Sequence, residues 1–185
     1  MIELKNITFE QYANLLDKSE YDWAMQFVFI FKKPVDHCNI GEFENKDFGL
    51  IKDLQQDISQ GIKWDKMLEY ISILTNQSIE VLAKEKLLTI CQIKNFIVSE
   101  IERLSFYESE KLGHTPTDEE IRAGIDNFNV FGVYSQLLQL AKGDPLKIPD
   151  VRKMTWQDAF VYLVHQKTES DYQIRLMEIR AEKNK

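Results

Sequence analysis

The sequence predicts an all-α fold, an irregular helical bundle with a long C-terminal helix. Three observations carry that expectation. Gly (7) and Pro (4) are scarce in 185 residues, whereas strand-rich folds need many turns. Apolar residues recur every three or four positions along most of the chain, the period of a helix buried on one face. Between Ser78 and Lys111 neither Gly nor Pro occurs at all. With 44% hydrophobic and 29% charged residues, a folded chain is the expectation.

Thr8-Phe-Glu-Gln11 has the pattern of a capping box, and Tyr12, Leu15 and Leu16 mark an apolar face behind it. A second helix is expected from Tyr21 to Lys32, with Trp23, Phe27, Ile30 and Phe31 on one side and Pro34 as its stop. After a connection from Pro34 to Glu44, Asn45 is the expected cap of a helix through Leu50, Leu54 and Ile58, ending at Gly61. Trp64, Leu68, Ile71 and Leu74 mark the next helix, and Thr75-Asn-Gln-Ser78 breaks it. Leu82, Lys86, Ile90, Ile93, Ile97, Ile101 and Leu104 then read as one long helix, or two with a small kink.

Leu112-Gly-His-Thr-Pro116 is the clearest boundary. It divides an N-terminal helical region, 1–112, from a C-terminal one, 113–185, the two forming one compact unit. Thr117-Asp-Glu-Glu120 is a second capping box, and Ile121, Ile125 and Phe128 line the face that follows. The stretch "FNVFGVYSQLLQLAKGDPLK", residues 128–147, has helical spacing with Gly132 inside it and a break at Gly143-Asp-Pro. Glycine in a helix interior costs roughly 1 kcal/mol relative to alanine. Gly132 is therefore expected to serve a bend, a hinge or a close helix crossing, and Gly143 to stop the helix. Thr155-Trp-Gln-Asp158 starts the last helix, which nothing interrupts to the C-terminus.

Several functions are excluded or disfavoured. The formal charge of −7 comes from 23 basic and 30 acidic residues, and both halves of the chain are acidic, so direct nucleic-acid binding by phosphate neutralisation is not expected. The longest apolar run, Phe27 to Phe31, falls far short of the ~20 residues that span a bilayer. Glu3 and Glu10 stand where a signal peptide carries positive charge and then an apolar core. Cys38 and Cys91 lack metal-ligand spacing and read as reduced thiols. These features place the protein in a cytoplasm or in a particle assembled there.

No catalytic motif emerges, and no cofactor is expected. Gly143-Asp144-Pro145 with Lys147 lacks the further glycines and the Lys-Ser/Thr pair of a phosphate loop. Glu110 and His114 are four apart, as are His165 and Glu169, a spacing that pairs side chains on a helix surface. Neither pair has a nucleophile beside it. Glu100, Glu102, Glu108 and Glu110 read as a solvated face. An unfamiliar catalytic site around Glu110, His114 and Asp118 is the outside reading.

The last helix is more informative. Trp156, Ala159, Phe160, Leu163 and Val164 form a packing stripe, and Thr168-Glu-Ser-Asp171 interrupts it. Tyr172, Leu176 and Ile179 then resume a narrower stripe flanked by Arg175 and Arg180. The first half is expected to dock on the body. The second projects, with its stripe and its arginines available to another chain.

The segments "AGIDNFNVFGVYSQLLQLAKGDPLK" and "VRKMTWQDAFVYLVHQKTESDYQIRLMEI" together resemble small proteins of the structural-gene clusters of tailed bacteriophages. The shared features are an Ala-Gly-Ile opening, Phe-Gly inside a helix, a Gly-Asp stop, a Thr-Trp helix start and a charged tail with scattered arginines. The resemblance covers about a third of the chain, from Ala123 to Arg180. It implies a non-enzymatic virion structural or morphogenesis protein, such as a tail assembly chaperone or head–tail adaptor. Its partners would then be other virion or assembly proteins, or further copies of itself, and its location the virion or the host cytoplasm. The alternative is a small intracellular helical adaptor or regulatory binding protein.

Overall fold

The order of elements follows from where local caps and long-range backbone pairing stop each helix. The computed structural model describes residues 6–19, 22 and 40–183. The helix expected from Tyr21 to Lys32, along with Pro34, His37 and Cys38, lies outside the described residues. Nine α-helices and three short 3-10 turns make up the regular structure of those residues, so the fold is all-α. The only β features among them are two isolated bridges. No described helix is long and apolar enough to cross a membrane.

The chain divides into two units, each assembled from two stretches. Residues 1–41 and 54–103 form the first, and residues 42–53 and 104–185 the second. The boundary suggested by sequence at 112/113 lies inside the second unit.

In the first unit, helix α1 (Phe9–Ala13) starts with the expected capping box between Thr8 and Gln11. It is shorter than the sequence suggests. It buries Phe9 and Tyr12 but stops at Asn14, and Leu16 is fully exposed. The unit also holds the end of α2 (Phe48–Ser59), all of α3 (Trp64–Thr75) and α4 (Ile79–Lys84), and most of α5 (Leu87–Leu112). The break between α4 and α5 has a tertiary cause. Phe9 donates its amide to the Glu85 carbonyl, Leu87 donates to Ile7, both at 2.9 Å, and Thr8 bridges Lys86. Residues 85–86 thus pair with the N-terminal strand-like segment, and Lys86 is not part of the helical stripe in which its spacing placed it. The core is built from Met67, Leu68, Ile71 and Leu74 of α3, Leu82 of α4, and Leu87, Ile90, Ile93, Ile97 and Ile101 of α5. The Tyr70 hydroxyl donates to Asp57 at 2.6 Å, which satisfies the polar end of a buried ring.

Cys91 is buried in this core. Burial pushes its thiol up to about 11, against a pull the other way from Lys94. A thiol ordinarily ionises near 8.5. The unfolded chain therefore loses this proton first, and the thiol's contribution is present below about pH 8.5 and is lost as pH rises to about 11. The loss is on the order of 3 kcal/mol at ~1.4 kcal/mol per pH unit. Tyr12, also raised by burial and by its hydrogen bond to Asp22, acts with the same sign at higher pH. Denaturation curves of the wild type and Cys91→Ala should therefore converge in their relative stability between pH 8 and 11, the wild type losing its advantage.

In the second unit, two helix starts are held side by side. Phe48, the first residue of α2, donates its amide to Met154 at 2.7 Å, and Trp156, the first of the last helix, donates to Lys46 at 2.8 Å. Each thereby satisfies an amide that the helix itself leaves without a partner. Asn45 is not the cap of α2, because it lies in the 3-10 turn Phe43–Asn45. The inner face of α2 is also rotated from the expected one. Phe48, Ile51, Lys52 and Leu54 are buried, whereas Leu50 and Ile58 are only partly so.

Helix α6 (Asp118–Arg122) begins with the expected Thr117–Glu120 capping box but is only five residues long. A 3-10 turn, Ile125–Phe131, follows, then α7 (Val133–Leu140), a second 3-10 turn (Pro145–Lys147), α8 (Ile148–Arg152) and α9 (Trp156–Lys183). Gly132 is not inside a helix. It sits between the 3-10 turn and α7 at φ 46°, ψ −126°, a conformation that L residues rarely adopt. A Cβ added there would meet nothing within 4 Å, so no close crossing requires this glycine. The close crossing is at Gly49, where a Cβ would lie 2.9 Å from the Arg152 Cβ.

Helix α7 ends where the Gly-Asp-Pro break was expected. Gly143 (φ 79°) donates its amide to Leu138 at 2.9 Å, the long-range bond of a Schellman ending. The residue before it, Lys142, is also left-handed at φ 54°, a position that glycine fills without strain. Lys142→Gly should stabilise the protein by about 1 kcal/mol, read as a raised denaturation midpoint.

Candidate functional site

Helix α9 carries the candidate site, and its phase explains what it offers. Thr155 caps it, accepting from the Asp158 amide at 3.1 Å. Trp156, Ala159 and Leu163 are its buried residues, and the Trp156 ring stacks on Phe160 with centroids 4.7 Å apart. At ~100° per residue, this buried face continues through Lys167, Ser170, Ile174, Met177 and Ala181. The opposite face runs through Val161, His165, Thr168, Tyr172, Leu176, Ile179 and Lys183. The stripe named from sequence is therefore the outward one. From Thr168 to Lys183 no residue is buried. Tyr172 is 59% exposed and Ile179 51%, Leu176 is half-buried, and Arg175 and Arg180 are exposed on either side.

Sequence reasoning missed Ile174 and Met177, which are 54% and 66% exposed. They extend the packing face of Trp156, Ala159 and Leu163 beyond the residues that cover it. The spacing of the buried stripe, carried past the polar break, was the available signal. Ile174 lines a groove of about 400 Å³ in the second unit, together with Leu112, His114, Glu120, Gln136 and Gln139 and, from α9, Leu163, Gln166, Lys167, Ser170 and Asp171.

Most polar groups of the groove answer one another. Gln139 donates to Gln166 at 2.9 Å, Gln166 donates to the Tyr162 hydroxyl at 3.1 Å, and Lys167 donates to the Gly113 carbonyl at 2.6 Å. His114 lies beyond the end of α5 and meets Glu120 at 2.9 Å rather than facing Glu110. The Thr117 amide, and then His114, hold the Glu120 carboxyl below its ordinary range. The Gln136 side-chain oxygen is buried and has no hydrogen-bond partner among the described residues. That oxygen is closed off from solvent, so what this region offers another chain is the exposed apolar overhang of Ile174 and Met177.

A second exposed apolar surface lies in the same unit. Ile121, Phe128, Val130, Phe131 and Tyr134 are all exposed, and neither α6 nor the following 3-10 turn buries any residue. Ile121 and Phe128 therefore do not form the inward face that their spacing suggested.

The acidic stretch of α5 is not uniformly solvated. Glu100 pairs with Arg103 at 2.7 Å, but Glu108 points inward. Its carboxylate accepts from Lys52 at 2.6 Å and from the Trp156 indole at 2.7 Å, with Lys52 only 4% and Glu108 only 13% exposed. Burial pushes the Lys52 ammonium below its ordinary range, although Glu108 acts to raise it. This trio ties α2, α5 and α9 together within the second unit. Among the described residues no group of three or more His, Cys, Asp or Glu side chains could hold a metal ion. Comparison with known proteins finds no matching family model, no similar curated protein and no similar solved structure.

Proposed function

We propose that the protein is a non-enzymatic assembly component that works through protein–protein contacts, with residues 168–183 as its principal contact element. One observation carries this reading: sixteen consecutive residues of α9 bury nothing, yet Tyr172, Ile174, Met177 and Ile179 are each more than half exposed. A helix with that much apolar surface in water gains by docking. The exposed Phe128, Val130 and Phe131 offer a further contact surface.

The bacteriophage assignment is the finer part of the proposal, and the resemblance of residues 123–180 to tailed-phage structural proteins supports it. On that reading the chain belongs to the head–tail or tail region, or to its assembly. Mass spectrometry of purified particles tests it. Stoichiometric recovery supports a virion part, and presence in the infected cell but not in the particle supports a chaperone. A gene without portal, capsid or tail genes beside it, and a product bound to a cellular protein, would favour the intracellular adaptor.

A further inference from the structure

We infer that residues 114–131 form a lid that closes over the groove beside α9 and covers the apolar overhang of Ile174 and Met177. None of these consecutive residues is buried. Among the described residues, every hydrogen bond and ion pair they make stays within the segment or ends on Gly132. The Thr117–Glu120 capping box and the His114–Glu120 contact hold its first half together, so it can move as a piece. Its two ends differ in kind. Gly113 is an anchor, with its amide donating to Ser109 at 3.0 Å and its carbonyl accepting from Lys167 at 2.6 Å. Gly132 is a hinge. It stands at φ 46°, and a Cβ there would meet nothing within 4 Å, so its backbone turns without collision.

The lid already stands at the edge of what it would cover. Glu120 of α6 and Ile174 of α9 line the same groove, and Ile121 follows Glu120 in the chain. Ile121 and Phe128 are exposed on the lid, and Ile174 and Met177 on α9. Closing takes these four out of water together, which drives it. Ser170 and Asp171 also line the groove and must lose water as the lid comes down, which opposes it. The two effects set an equilibrium between the open form described above and a closed one. Closure withdraws Ile174 and Met177 from other chains. That consequence rests on the contact-element reading, whereas the closure itself does not.

A disulfide trap in the full chain tests the lid, in a Cys38→Ser background with the buried Cys91 left in place. Ile121→Cys with Ile174→Cys should oxidise to a monomer carrying an internal cross-link, because closure brings the two to the ~4 Å Cβ separation that a disulfide needs. Ile121→Cys with Val161→Cys should not, because Val161 is exposed on the opposite face of α9. Phe128→Ser should slow the 121–174 link about tenfold by removing apolar area that closure buries. The melting temperature should not change, since Phe128 is exposed in the open form. No internal link, one formed as fast at Val161 as at Ile174, one whose rate ignores Phe128→Ser, or a cross-linked dimer would overturn the lid. None of these results bears on truncation after Lys167, so the contact-element reading stands or falls separately.

Discussion

Glu108→Gln should destabilise the second unit by about 3–5 kcal/mol, the cost of leaving one member of a buried pair without its counter-charge. Lys52 is 4% exposed and its ammonium meets Glu108 at 2.6 Å. Water cannot replace the lost carboxylate there without opening the core. The indole of Trp156 suffers less, because the glutamine oxygen still accepts its hydrogen bond. That difference gives the rescue. Lys52→Met together with Glu108→Gln removes both charges and keeps an acceptor for Trp156, so most of the loss should be recovered. Trp156 is the one tryptophan of this unit. Its fluorescence during denaturation reads the effect where it occurs. A single variant as stable as the wild type would show that Lys52 finds water or another partner.

Gly132→Ala should cost about 1–3 kcal/mol through backbone strain alone. No atom lies within 4 Å of the added Cβ, while φ is +46°. The sequence places Gly132 inside a helix, whereas in the structure it joins the 3-10 turn to α7 outside any helix. D-alanine at this position, introduced by ligation, should restore stability because the conformation is the mirror image of an ordinary extended one. Loss of stability with unchanged assembly would assign Gly132 to conformation, and altered assembly at unchanged stability would assign it to hinge motion.

Features made by neighbours in sequence were legible. Thr8, Thr117 and Thr155 each start a helix through their own hydroxyl, a bond to an amide three residues on. The end of α7 was legible too, because Gly143 followed by Asp-Pro allows little else. Features made by distant backbone were not. The break at Glu85–Lys86 comes from pairing with residues 7–9, and no local residue announces it. Lys52 sits on α2 like any surface lysine until Glu108 and Trp156 arrive from other helices. In the candidate site, the outward stripe of Tyr172, Leu176 and Ile179 could be read from spacing. The exposure of Ile174 and Met177 could not, because it depends on where the body covering the other face ends.

The central claim is that residues 168–183 serve contacts with other chains and not the fold of their own. Truncation after Lys167, followed by thermal melts and sedimentation on the same samples, tests it most directly. A folded chain is expected, destabilised by about 1 kcal/mol or less since none of residues 168–183 is buried, and one that no longer self-associates or binds assembly partners. An unfolded truncation would place Leu176 and Ile179 in the protein's own core, and a folded one that still assembles normally would contradict the claim outright.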